Sequence, residues 1–128
     1  MPAAISCVTV PVDDLQKSLA FYSALGLTPV ENDDEHVAYD LDGVYFVLLD
    51  RSEFGTYVER VGHRPAGRGA AGAILSYFAE NKGEVDAIMA KAQGAGATVS
   101  AARDEEYGYS GYFTDPDGNT WEVLFGSD

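Results

Sequence analysis

A single cysteine, Cys7, stands in 128 residues, so no disulfide closes within the chain and a reducing cytoplasm is the expected compartment. Basic residues are scarce: eight Lys and Arg face 21 Asp and Glu, a formal charge of −13. Such a surface repels phosphate backbones and anionic bilayers, so neither nucleic acid nor a membrane is an expected partner, and a cationic ligand is favoured. The same acidic excess also serves solubility by itself. No apolar run nears the roughly 18 residues that span a bilayer. Met1 to Ile5 lacks the basic-then-apolar order of a secretory leader. Glycine-rich phosphate loops, a nucleophile elbow and a Cys-x-x-Cys pair are all missing.

What is there is enough for one domain with a proper core: 46% of residues are apolar. Residues 4–12 alternate Val8, Val10 and Val12 and read as a strand. Asp13 or Asp14 caps a helix whose apolar positions are Leu15, Leu19, Tyr22 and Leu25, and Gly26 stops it. Strands are expected over 28–31, 36–41 and 44–49, the last two joined by the hairpin signal Asp42-Gly43. A short helix over 52–61 precedes a Gly-, Ala- and Arg-rich linker at 62–72. The pattern then restarts: strand 73–79, helix 83–93 ended by Gly94 and Gly96, strands 97–101, 109–114 and 120–125. Asp115-Pro116-Asp117-Gly118 turns the chain before the last strand.

A shift of 70 residues lays Leu15 on Val85, Leu19 on Met89, Gly26 on Gly96 and Thr28 on Thr98. Apolar positions alone align by chance, but a helix terminator kept in step with them indicates an internal duplication. The expected fold class is α+β: two βαβββ modules, 1–61 and 73–128, in one domain. Their strands would form a curved, cup-like mixed sheet with the helices outside.

Two segments resemble the vicinal-oxygen-chelate superfamily of glyoxalase I, bleomycin-resistance proteins and extradiol dioxygenases. Val10-Pro-Val-Asp-Asp-Leu-Gln-Lys-Ser-Leu-Ala-Phe-Tyr-Ser-Ala-Leu-Gly-Leu27 is similar to the family's opening strand and capped helix. Gly108-Tyr-Ser-Gly-Tyr-Phe-Thr-Asp-Pro-Asp-Gly-Asn-Thr-Trp-Glu-Val-Leu-Phe125 is similar to its penultimate strand, turn and closing strand with a glutamate. The resemblance implies a small molecule enclosed in the cup, a homodimer, and in the family's enzymes a divalent ion that polarises neighbouring substrate oxygens. Its ligands would come from the first and last strands of the units. Cys7 stands where a His or Gln is usual, its second-unit counterpart is Ile74 or Tyr77, and the last-strand position of the first unit is Phe46 or Val47. Glu122 alone matches. Three protein ligands are the usual minimum for a catalytic zinc site, so the set is incomplete and no cofactor is expected.

Glu122 is therefore the expected site residue, as anchor for a cationic group, as general base, or as a brace for the pocket. Cys7 is expected to be a small buried hydrophobe unless it supplies a thiolate, and His36 and His63 to be solvated. Tyr107, Tyr109 and Tyr112, with Phe46 and Tyr77, are candidates for stacking on a planar ligand, against the alternative that strand aromatics simply pack the core. Alternation places Tyr107 and Tyr109 on one face and Tyr112 on the other, unless Gly111 makes a bulge. A metal-independent small-molecule binder leads. A lactoylglutathione-lyase-like lyase or dioxygenase is the alternative, and an interaction or regulatory module a further one.

Overall fold

The structure is a computed structural model and describes residues 1–126. The chain divides into two compact units, Met1–Ala66 and Gly67–Asp128.

In the first unit, β1 (Cys7–Val12) lies parallel to β4 (Val44–Asp50). Antiparallel pairs then add β3 (His36–Leu41) and β2 (Glu31–Asn32), giving the order β1-β4-β3-β2. Helix α1 (Leu15–Ala24) is capped by Asp14, whose carboxylate accepts the N–H groups of Gln16 and Lys17 at 3.0 and 3.1 Å. α2 (Arg51–Val58) follows β4 and runs into a 3-10 turn, Glu59–Val61.

The core of this unit is aromatic. Tyr22 meets Phe46 edge-on at 5.3 Å, and Tyr39 stacks on Phe46 at 6.2 Å. The buried row of α1 is Ser18, Phe21 and Tyr22, while Leu15 and Leu19, expected to lead it, are only half-buried. The large rings of Tyr39 and Phe46 select Phe21 and Tyr22 as partners, and the small Ser18 lets the helix come close to the sheet. β2 is shorter than the expected 28–31 and starts later, because Pro29 has no N–H to give a ladder.

The second unit repeats the plan. β9 (Thr120–Gly126) lies between β5 (Ile74–Phe78), to which it is parallel, and β8 (Gly108–Thr114), to which it is antiparallel. β6 (Thr98–Val99) and β7 (Arg103–Glu105) both pair with the far edge of β8. β7 has no counterpart in the sequence reading, since Arg-Asp-Glu carries no apolar alternation. Helix α3 (Lys82–Gly94) buries Val85, Met89 and Ala92 against a sheet face that includes Phe113 and Val123.

The duplication is visible bond by bond. At the end of α1, Leu25 N–H reaches Phe21 and Tyr22 O, Gly26 N–H reaches Ser23 O, and Leu27 N–H reaches Tyr22 O. At the end of α3, the same four bonds join Ala95, Gly96 and Ala97 to Lys91, Ala92 and Gln93, each shifted by 70 residues. Gly26 and Gly96 both adopt positive φ, +96° and +105°, as this helix stop requires. The N-caps Asp14 and Asn81 lie 67 apart (81 − 14), and α3 is longer than α1 by the difference, 13 residues against 10.

His36 was expected to be solvated; instead it sits between two carboxylates. Nε2 lies 2.9 Å from Glu31 and Nδ1 3.0 Å from Asp33. Carboxylates have no proton to give, so both ring nitrogens donate and the ring is an imidazolium. The Glu31 hydrogen bond is the largest influence and, with the charges of Asp33 and Glu31, holds its pKa above the ordinary 6.5, against burial, which comes second and lowers it. Asp33 is held below its usual range, chiefly by the backbone N–H groups of Glu35 and His36, so it stays ionised further into acid. A raised folded pKa gives stability that is fully present below the unfolded value and is lost as pH rises through the folded one. The melting temperature of the parent minus that of His36→Gln should thus be largest below about pH 6.5 and shrink above it. A difference independent of pH from 5 to 9 would contradict the clamp.

The hydroxyl of Tyr39 is buried without a partner, and burial pushes its pKa up to about 12. Tyr39→Phe removes that unmet group and should leave stability unchanged or raise it by about 1 kcal/mol in urea unfolding. A clear loss would reveal a hydrogen bond to this hydroxyl.

Candidate functional site

Register and contacts assign the two faces of the second sheet. Tyr109 reaches Asp86 of α3 at 2.6 Å, and Tyr77 reaches Glu84 of α3 at 3.1 Å. A Cβ on Gly111 would meet the Met89 side chain at 3.0 Å. Tyr77, Tyr109, Gly111 and Phe113, with their partners Trp121, Val123 and Phe125, therefore face the helix. Strand alternation puts Ile74, Ser76, Phe78, Ser110, Tyr112, Thr114, Thr120, Glu122 and Leu124 on the other face.

Glu122 sits mid-row on that helix-free face. Ser76 on β5 and Tyr112 on β8 are its direct cross-strand neighbours. Ser76 Oγ donates to Glu122 Oε1 at 3.1 Å, and Tyr112 Oη donates to Oε2 at 2.7 Å. Tyr107, in the turn after β7, brings its hydroxyl to 3.3 Å from that of Tyr112. The Tyr107 hydroxyl first, then Glu122, raise the Tyr112 pKa well above the ordinary phenol range. Ser110 lies two residues from Tyr112 on the same face, 2% exposed, with an Oγ that has no partner. Around this polar row Ile74 and Phe78 are 57% and 74% exposed.

The expected site residues separate into three places. Glu122, Tyr112 and Tyr107 come together. Tyr77 and Tyr109 lie on the helix side, tied to α3. Phe46 and Cys7 belong to the first unit, Phe46 in the core at 2% exposure and Cys7 exposed, its Sγ 3.5 Å from Thr9 Oγ1. Cys7 is thus not the buried hydrophobe its apolar strand suggested. Gly111 makes no bulge, because β8 pairs with β9 in unbroken register from Gly108–Gly126 to Thr114–Thr120. Tyr109 and Tyr112 consequently point to opposite faces, and Tyr107 joins Tyr112 from beyond the strand end. The sequence reading missed Ser76 and Ser110. The parallel register of β5 with β9, which puts Ser76 beside Glu122, has no local signal.

Counting back from the two N-caps makes Thr9 the counterpart of Ser76 and Cys7 that of Ile74. Thr9 pairs with Val47, and Val47 with Ala38, as Ser76 pairs with Glu122 and Glu122 with Tyr112. Val47, not Phe46, is therefore the counterpart of Glu122. Only the second unit carries a carboxylate in this row. Among the described residues no three His, Cys, Asp or Glu side chains come together in a way that could hold a metal ion. The row of this unit offers one carboxylate, where a catalytic zinc site ordinarily takes three protein ligands.

The family model described as the Glyoxalase/Bleomycin resistance protein/Dioxygenase superfamily matches residues 4–123. The chain belongs to this superfamily. No curated protein matches its sequence. Among solved structures, a glyoxalase-related enzyme from Fulvimarina pelagi is 26% identical with a TM-score of 0.86, covering 97% of this chain and 88% of that one. A lactoylglutathione lyase from Agrobacterium tumefaciens is 27% identical with a TM-score of 0.73, covering 98% and 96%. An antibiotic-binding protein from Streptomyces sp. CB03234 shares the fold at 24% identity and a TM-score of 0.70, covering 98% and 97%.

Gly108, beside Tyr107, has φ +142°, and a Cβ there would run into the carbonyl oxygen of Phe125, with Gly126 Cα at 2.9 Å. Gly108→Ala should cost about 2 kcal/mol or more in chemical unfolding, through backbone strain and a forced shift of the β8–β9 ladder. A neutral substitution would show that this approach is looser than drawn.

Proposed function

We propose that the protein holds a small molecule against the helix-free face of its second unit, with Glu122 as the anchoring acceptor. The observation that carries this reading is a carboxylate held in place by Ser76 and Tyr112 on a face where Ile74 and Phe78 stay exposed. A carboxylate fixed by two hydroxyls is preorganised, and exposed apolar side chains beside it offer area to a ligand body. The unpartnered Ser110 hydroxyl on the same face supports the reading, since a buried polar group without a partner is costly unless something meets it. One neighbour in the superfamily fold is an antibiotic-binding protein, which is in keeping with a binding role.

The incomplete donor set favours binding without a resident ion. A cytoplasmic homodimer completes the proposal, supported by other exposed apolar side chains, Tyr45, Tyr57 and Val61 of the first unit, that a second copy would cover. The likeness to a lactoylglutathione lyase favours a second reading, a lyase in which Glu122 takes a proton from the substrate.

A thermal-shift screen of small aromatic and cationic compounds tests the first reading. A ligand at 100 times its Kd adds about 2.7 kcal/mol. Hits should lose most of their shift in Glu122→Gln. Hits that stabilise this variant equally would remove Glu122 from the site. A stoichiometric divalent ion, whose removal abolishes a measured turnover, would put the lyase first.

A further inference from the structure

The hydrogen positions on the helix-free face follow from simple accounting. An ionised carboxylate accepts and never donates, so Ser76 and Tyr112 must each direct their single hydroxyl proton to Glu122, at 3.1 and 2.7 Å. With its proton committed, Tyr112 Oη can only accept from Tyr107, 3.3 Å away, so the Tyr107 proton is committed as well. Every proton in the row thus points inward to one carboxylate. What remains outward is lone pairs: one set on each of the three hydroxyls, and those left on Oε1 and Oε2. The cluster is an acceptor-only array with a negative charge at its centre.

Among the described residues no basic side chain pairs with Glu122. Of the positions that register places there, the basic one is Arg103 on β7, and its guanidinium is engaged by Glu105 at 2.6 Å. The remaining positions are hydroxyl-bearing or apolar. Hydroxyl protons that are not committed to Glu122 lie further along the row, on Ser110, buried two residues along β8, and on Thr114 and Thr120.

We propose, building on the reading above, that the ligand group seated on Glu122 is a planar cation with several N–H donors, an amidinium or a guanidinium. Such a group brings donors to a cluster whose own protons are all committed, and its paired N–H bonds match the two carboxylate oxygens. An anionic or acceptor-only group would leave lone pairs facing lone pairs, and a donor-free cation would meet the charge but none of the acceptors.

Three matched probes separate these contributions: benzamidine, neutral benzamide, and phenyltrimethylammonium, a cation without N–H. Each is titrated into the full-length protein at fixed ionic strength, with backbone amide shifts read over residues 74–78, 108–114 and 120–126. Benzamidine should bind at these strands about tenfold or more tightly than either other probe, the loss expected when one charge-assisted hydrogen bond is missing. Glu122→Gln, checked for a parent-like amide spectrum, should erase that advantage. Equal binding of benzamide or phenyltrimethylammonium at these strands, or a benzamidine preference that survives in Glu122→Gln, overturns the donor-cation inference and leaves the binding face standing. Shifts from none of the three at these strands overturn both. Should the variant fail to fold, the comparison of probes on the parent protein decides alone.

Discussion

A sheet has two faces, and each repeat of this chain brings one long helix to cover one of them. In the second unit α3 takes the side of Val85, Met89, Phe113 and Val123, and binds it further through Tyr77–Glu84 and Tyr109–Asp86. Apolar burial on that side supplies the stability, at roughly 25 cal/mol per Å² removed from water. The other side is released from packing duty, and its residues need not be apolar. This is why a charged side chain can stand at mid-sheet: Glu122 is in the row that α3 does not press upon. The aromatic residues obey the same division, so a tyrosine's role follows from strand parity rather than from being a tyrosine.

The duplication adds a second constraint. Both repeats keep the capped helix, the glycine stop and the strand order, because those features make each unit fold. The helix-free rows have diverged: Thr9, Val47 and Ala38 in the first unit, Ser76, Glu122 and Tyr112 in the second. The scaffold positions are thus kept between the repeats while the helix-free rows differ, as rows that no helix presses upon are free to do.

Much of this was legible in the sequence. Periodicity placed α1 and α3, Gly26 and Gly96 marked their ends, and Asp42-Gly43 and Asp115 to Gly118 marked turns, because each of these signals is local. What was not legible depends on partners far along the chain. The row Ser76–Glu122–Tyr112 needs the parallel pairing of β5 with β9, and that register leaves no trace in either strand. The buried row of α1 was misplaced for a related reason: the rings beneath it, Tyr39 and Phe46, come from other strands and favour Phe21 and Tyr22 over Leu15 and Leu19. His36 was read as solvated because its neighbours are acidic, yet those neighbours are what hold it.

Relatives at 26 and 27% identity keep the backbone to TM-scores of 0.86 and 0.73. The covered faces account for that persistence, since apolar residues of similar volume exchange there at low cost. The polar positions of the helix-free row are under no such volume constraint. A hydroxyl on each side donates to Glu122, which fixes the carboxylate and keeps those two protons from being offered outward. Replacing either neighbour by an apolar residue would keep the fold while changing what the carboxylate presents. What this face presents is therefore set less by the glutamate itself than by the two side chains that decide which of its lone pairs remain.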